Sequence, residues 1–557
     1  MTGAAPTVPT PFAAIRLLAT VVAIVALWLA AGAAQASVAP LSPADRVALR
    51  AEIVHLLASE PNLPLPVRQR SEALTAYYAD GSRPILWLGE KRAAELVAWL
   101  RNAAEDGLDP GAYPAGQLEK LMAAAMETNS RGRAIVELHY SAAFLQYASD
   151  LQVGRFLPHK VDPDFFQEGR AIDQVAALVA VGAAPDLDRF FLAWQPQAPE
   201  YADLRAALAD YRALAGAGGW PSVPLGESLK PGMSDPRVPA LRARLAVTDG
   251  ADPNAPPGSA ETYDDALAAV VRAFQRRHGL DVDGIVGKGT VAALNVPVET
   301  RVRDIVLSME RWRWMPPELG RNHLIVNIAG FELRRFADGR LAERMNVVVG
   351  KPYTKTPVFS DRIRYLEFNP YWNVPHGIAV KEELPKLKTN PAARAAAGFE
   401  AVRGDTVYPL TSINWSQYGP GNFPFQLRQR PGPNNALGRV KFMFPNQFDV
   451  YLHDTPSRSL FDKAERAFSH GCIRLARPLE LAVQVLAVGG VPGWDMSRID
   501  AVVASQKRSV VNLAEPLPVH ITYFTAWVDH GLPNFRNDIY GQDAKLIAAL
   551  DGQALAW

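Results

Sequence analysis

The chain has 557 residues, with 58 Lys and Arg against 57 Asp and Glu, 48% hydrophobic content and a single cysteine. That length allows roughly two to four domains with real cores. The near-zero charge balance excludes a general nucleic-acid or anionic-membrane binder, and one thiol excludes an internal disulfide framework.

Arg16 precedes an uncharged run from Leu17 to Ala34, and Ala34-Gln35-Ala36 offers small residues for a signal peptidase. This predicts a secretory signal over residues 1–36. If uncleaved, residues 17–34 are long enough to anchor the chain, since about 17 to 20 apolar residues can span a bilayer. In either case the body lies in the periplasm or cell envelope, where a lone exposed thiol is unusual unless it has a task.

From residue 37 to about 225 the pattern is helical and alanine-rich. Ala93 to Leu100 and Ala134 to Tyr140 space apolar residues at three and four, as amphipathic helices require. Ser42-Pro43-Ala44-Asp45 predicts a capped helix start with Pro at its first position. No catalytic constellation stands out here, so this region is expected to be an α-helical scaffold domain. A Gly- and Pro-rich linker from Gly216 follows.

Residues 226–300 predict three short helices, with His278-Gly279-Leu280-Asp281-Val282-Asp283-Gly284 as a Gly-rich loop before the third. The phrase from Phe274 to Leu294 resembles the peptidoglycan-binding three-helix domain, a resemblance that implies a location on the wall and no chemistry. The insert Asp249 to Gly258 lacks the terminal Glu and ligand alternation of a calcium loop and reads as surface loop.

Strand signals dominate after Arg321. His323 to Ile328, Phe331 to Phe336 and Met345 to Val349 are short, with Gly turns between them, and predict a β sheet or sandwich. Phe448 to Leu452 delivers His453 at a strand end, a rigid support for a side chain entering a cleft.

The lone cysteine stands in Ser469-His470-Gly471-Cys472-Ile473-Arg474, nineteen residues after His453. A thiolate is the reactive form, and a neighbouring imidazole can produce it. A zinc site would need closely spaced ligand pairs that the chain lacks, so no metal and no cofactor are expected. In papain-like proteases the Cys comes first and opens a helix, the reverse of this order.

Val347-Val348-Val349-Gly350 with Thr354 to Pro357, Phe368 to Pro375, and His453 followed by Ser469 to Leu475 together resemble the L,D-transpeptidase (YkuD) catalytic domain. The expected fold class is therefore multidomain α+β, with a β-rich catalytic domain over 301–505. The resemblance implies a helical capping insertion at about 376–427, and residues 506–557 are expected to pack on the catalytic domain as a C-terminal extension.

The resemblance implies that Cys472 is the nucleophile of a thioester acyl-enzyme and His453 its general base and acid. It also implies that the residue after the His orients it. Here that is Asp454, through side chain or backbone carbonyl. Gly471 permits a tight turn whose amides can face an oxyanion. Arg474 can hold a substrate carboxylate. His470 shapes the turn through its backbone or is a second titrating group. Ser469, Tyr371 and Trp372 complete the expected substrate-binding set.

The implied substrates are peptidoglycan stem peptides and their glycan strands: a tetrapeptide donor loses D-Ala and a neighbouring stem amine accepts, giving a 3→3 cross-link. Water as acceptor would make an L,D-carboxypeptidase or endopeptidase, and an inert fold would make a wall-binding adaptor. Other cell-wall synthases are conceivable partners; nucleic acid is not.

Overall fold

The computed structural model describes residues 41–125, 129–254 and 259–552. The expected signal over 1–36 lies outside the described residues. No described helix is long and apolar enough to cross a membrane. The chain divides into two compact units: one runs to Pro163 and continues through Glu168–Pro317 and from Thr525, and the other holds Asp164–Gln167 and Glu318–Phe524.

In the first unit, α1 (Pro43–Ser59) starts as its sequence predicts: the Ser42 hydroxyl accepts from the Asp45 amide while Asp45 returns the bond. The unit is built around α2 (Ser130–Val153), which is buried nearly all round from Val136 to Leu151, the mark of a central helix. Buried carboxylates sit inside that core, among them Glu137 and Asp150. Glu137 accepts the amides of Leu86 and Trp87 and the Tyr78 hydroxyl, so a buried carboxylate anchors an irregular segment whose N–H groups would otherwise be unpaired. α3 (Pro199–Gly216) follows.

The same unit contains three short helices, α4 (Val238–Asp249), α5 (Asp265–Arg277) and α6 (Lys288–Leu294), around Leu241, Leu245, Phe274 and Val286. It also takes α7 (Val298–Arg313) and the final hairpin of Ala526–Asp529 and Leu532–Phe535. Phe535 packs on Tyr211 of α3 with ring centroids 5.6 Å apart. The expected C-terminal extension is thereby corrected. Its strand joins the second unit, while everything from Thr525 clusters with the helices, where Phe535 finds Tyr211.

The second unit is a mixed sheet and not a sandwich. Its strands are β1 (His323–Asn327), β2 (Glu332–Ala337), β3 (Arg340–Gly350), β4 (Phe359–Phe368), β5 (Trp372–Asn373), β6 (Phe399–Arg403), β7 (Thr406–Tyr408), β8 (Gln426–Gln429), β9 (Val440–Met443), β10 (Leu452–His453), β11 (Ala467–Ser469), β12 (Ile473–Leu475) and β13 (Ser509–Thr522). The main sheet runs β11-β3-β12-β10-β9-β4-β13-β1-β2, and a further pairing of β2 with β3 closes eight of these strands into a ring. Closure leaves few free edges. The long strand β13 is central: it pairs in parallel with β1 at Leu324↔Val519 and antiparallel with β4.

Between β4 and β9 the chain leaves the ring to build the capping insertion. It is not purely helical: β5, β8, β6 and β7 form a separate four-stranded sheet, with short helices packed over Leu384, Leu387, Phe399, Trp415 and Leu427. The strands reach back to Trp372 and on to Gln429, so the insertion is wider than residues 376–427. With its own apolar core, it is a small subdomain and not a loose loop.

Candidate active site

A cleft of about 1130 Å³ opens between the ring and the cap, lined among others by Tyr371, Trp372, Lys441, Tyr451, His453, Ser469, His470, Cys472 and Arg474. Most of the residues singled out from the sequence thus meet in one place. The parallel pairing of β10 with β12 is the reason. It sets His453 opposite Arg474 and Leu452 opposite Ile473, so the residue before β12, Cys472, falls level with Tyr451, two residues from His453 along the strand and on the same face, and both line the cleft.

The turn that carries Cys472 is pinned from three sides. Gly471 has φ +117°, a conformation that favours glycine. The Thr356 hydroxyl accepts from the Gly350 amide at 2.9 Å and donates to the Gly471 carbonyl at 2.7 Å. Ser469 accepts from the Gly471 amide at 3.1 Å and donates to the Cys472 carbonyl at 2.5 Å. This corrects the expected role of Gly471: its N–H is already committed to Ser469, so its contribution is the bend. The amide of Cys472 itself becomes the candidate oxyanion donor. Ser469 is a brace of the turn.

The loop holding Thr356 is braced in turn by residues that the sequence placed in a distant helical region. Asp164 pairs with Lys355 at 2.8 Å, Phe165 bridges Val358 in parallel, and Phe166 packs on Phe448 with ring centroids 4.2 Å apart.

His453 is buried, and its Nδ1 lies 2.5 Å from the Asp454 backbone carbonyl. A carbonyl only accepts, so Nδ1 carries the proton and Nε2 is left as the basic nitrogen. The Asp454 carboxylate faces elsewhere. It accepts from the Arg439 amide and Nε at 3.0 and 2.7 Å and from Arg458 at 3.2 Å. Gly438, at φ +61°, lies so close that a Cβ there would collide with the Asp454 side chain. Of the two ways left open for Asp454 to orient the imidazole, the backbone carbonyl is the one in place.

Burial, then the Arg474 cation, push the His453 pKa down to about 3, and burial pushes the Cys472 thiol up. Both shifts favour the neutral pair at rest. The groups that counter the rise at Cys472 are Tyr451, Lys441 and Arg474. Lys441 Nζ stands 4.2 Å over the Tyr451 ring, and the Tyr451 and His453 rings meet edge to face at 5.7 Å. The thiol also points to the Asp449 carbonyl at 3.7 Å, presented by a residue at φ +53°. Tyr451 and Lys441 were not singled out from the sequence, and Thr356 only as part of the run Thr354 to Pro357. The period-two alternation Asp449-Tyr451-His453 places Tyr451 on the same strand face as the imidazole and was the available signal.

Arg474 lines the cleft, and its buried Nε lacks a hydrogen-bond partner among the described residues. Tyr371 carries the Arg428 guanidinium 5.0 Å from its ring centre, and Trp372 packs edge-on against Phe399. His470 does more than shape the turn. Its Nε2 meets Glu382 of the cap at 2.5 Å. Among the described residues no group of three His, Cys, Asp or Glu side chains is arranged for a metal.

Comparison with known proteins gives three family matches: a scaffold domain over residues 72–208, a candidate peptidoglycan-binding domain over 234–294 and the L,D-transpeptidase catalytic domain over 321–507. A Haemophilus influenzae protein named as a candidate L,D-transpeptidase is 33% identical over 244 residues, which is 43% of this chain and 48% of that protein. The chain therefore matches about half the length of this relative. Among solved structures, the L,D-transpeptidase of Xylanimonas cellulosilytica is 16% identical and covers 54% of this chain and 99% of its own, with a TM-score of 0.18. The Ldtfm-avibactam carbamoyl enzyme is 12% identical, covers 41% and 64%, and has the same TM-score. Overlaps of that quality do not bear on the fold.

Proposed function

From the match of residues 321–507 to the L,D-transpeptidase catalytic domain and of residues 234–294 to a peptidoglycan-binding domain, we propose that the chain cross-links peptidoglycan stems through a Cys472 thioester. The proposal places the protein in the periplasm or cell envelope. The observation that carries it is the contact of His453 Nδ1 with the Asp454 carbonyl, which leaves Nε2 as the basic nitrogen of an imidazole that lines the same cleft as Cys472.

In the first half, Nε2 takes the thiol proton as sulfur attacks the amide carbonyl after the third residue of a tetrapeptide. Proton transfer within the reaction, and not a standing ion pair, suits a site where burial opposes both charges. The Cys472 amide faces the oxyanion, and Arg474 binds a stem carboxylate. The imidazolium then protonates the departing D-Ala amine, leaving the acyl group on sulfur. In the second half a stem amine attacks the thioester and sulfur leaves, giving a 3→3 link. The cap covers the site and favours amine over water.

Mass spectrometry of products from a disaccharide tetrapeptide tests this. Cross-linked dimer lacking one D-Ala, made by the wild type and not by Cys472→Ala, is expected. Tripeptide alone would make the protein a carboxypeptidase, and dimer from the Cys472→Ala variant would remove the thiol from the mechanism.

A further inference from the structure

The contact between the nucleophile turn and the cap has a chemistry of its own. Glu382 lies in the π-type turn Ala379–Glu383, a geometry found often at functional sites. Its Oε1 meets His470 Nε2 at 2.5 Å, with the two side chains 43% and 31% exposed. The next residue, Glu383, is committed to Lys386 and Arg394, whereas Glu382 pairs with His470 alone among the described residues. Of the cleft-lining residues only Glu382 and Asp449 are acidic, against Lys381, Lys441 and Arg474. A carboxylate–imidazole pair stands two residues from the nucleophile, on the cap side of the cleft.

We propose that Glu382 and His470 are the acceptor-side base: they receive the incoming ammonium and take its first proton, while His453 serves the thiol. This rests on the transpeptidase reading and assigns its second half. An acceptor ammonium carries three N–H bonds and the product amide keeps one, so two protons must leave nitrogen. His470 takes the first, with Glu382 stabilising the imidazolium that forms. The neutral amine attacks the thioester carbonyl, the C–S bond breaks, and the second proton reaches Cys472 sulfur by way of His453. The balance is ammonium plus thioester giving amide, thiol and a proton on His470, which its exposure lets it release to solvent. Lys381, beside Glu382 on the cleft, suits a carboxylate on the carbon that bears the amine. The acceptor class is thus an amino-acid centre, ammonium next to carboxylate.

The test uses the full-length protein with disaccharide tetrapeptide as donor and two acceptors: D-methionine, a zwitterion, and methoxyamine, uncharged at neutral pH. The readout is the ratio of amide product to hydrolysed tripeptide for wild type, Glu382→Gln and Glu382→Asp. For D-methionine, Glu382→Gln is expected to lower this ratio on the order of 100-fold, the lower end of a general-base contribution. Methoxyamine transfer should hold, and Glu382→Asp should restore part of the D-methionine loss. Equal loss with both acceptors would show that Glu382 only positions the cap, and no loss with either would remove it from the reaction; both overturn the proposal. A wild type that transfers to neither acceptor while still releasing D-Ala would overturn the transpeptidase reading itself.

Discussion

His453 Nδ1 meets the backbone carbonyl of Asp454 at 2.5 Å, while the Asp454 carboxylate turns away to Arg439 and Arg458. The residue that follows the imidazole orients it without offering it a charge. Asp454→Asn keeps the carbonyl and should retain acylation to within about tenfold, while losing charge-assisted bonds worth roughly 1.5–3 kcal/mol each. Steady-state D-Ala release and thermal denaturation check both halves. Loss of several orders of magnitude in rate with unchanged stability would mean that the carboxylate acts on His453 directly.

A neutral imidazole and thiol at rest give a pH signature. His453, held at about 3 by burial and Arg474, should show no titration of its ring signals in NMR between pH 8 and 5. Alkylation of Cys472 by iodoacetamide should be slow at neutral pH and climb only above the ordinary thiol range, because burial pushes that pKa up. Rapid alkylation at pH 6 would reveal a standing thiolate.

Stability carries the same imprint. Burial also holds His520 at about 4, so the unfolded chain takes up protons at these two histidines before the folded chain does. Each therefore contributes stability above its ordinary value of about 6.5 that is lost as pH falls towards its folded value, at up to about 1.4 kcal/mol per pH unit. Asp150 and Asp304, raised to about 6 by burial, act in the opposite sense over their own range, from about 6 down to the ordinary carboxylate value. Urea midpoints at pH 7 and 5 should fall less for His453→Asn than for wild type.

The braces of the nucleophile turn make a further expectation. Thr356→Val removes the acceptor for the Gly350 amide and the donor to the Gly471 carbonyl, both buried, at a cost of about 1–3 kcal/mol for each unsatisfied group. Thr356→Ser should recover most of the loss in both thermal midpoint and acylation rate.

Tyr451→Phe removes one of the groups that counter the rise in the thiol pKa. Acylation should slow by about five- to tenfold, the effect of one ordinary hydrogen bond, with the alkylation curve moved to higher pH.

The candidate site of this chain was legible where residue type and position are themselves the message. Cys472, His453 and Gly471 could be read because one thiol, one strand-end imidazole and one glycine in a tight turn each have few other uses. The braces could not be read. Thr356 stood inside a recognised run but its bonds to Gly350 and Gly471 were not visible there, Asp164 is an ordinary polar residue until the fold sets it against Lys355, and nothing local marks Asp164–Gln167 as part of the second unit. The ring closure of β2 on β3 is likewise a long-range pairing that alternation alone does not contain. Glu382 was hidden in a helical stretch of the cap, where a carboxylate is most often a solvated face. Its partner His470 was visible, and the two readings left open for it differ only by what lies opposite.

The central claim is that a stem peptide becomes covalently attached to Cys472. Intact-protein mass spectrometry during turnover of a disaccharide tetrapeptide tests it most directly. An adduct equal in mass to the donor minus the released D-Ala, located on the peptide containing Cys472 and absent from Cys472→Ala, is the predicted result. Release of D-Ala at an undiminished rate with no such adduct, or an adduct on another residue, would contradict it.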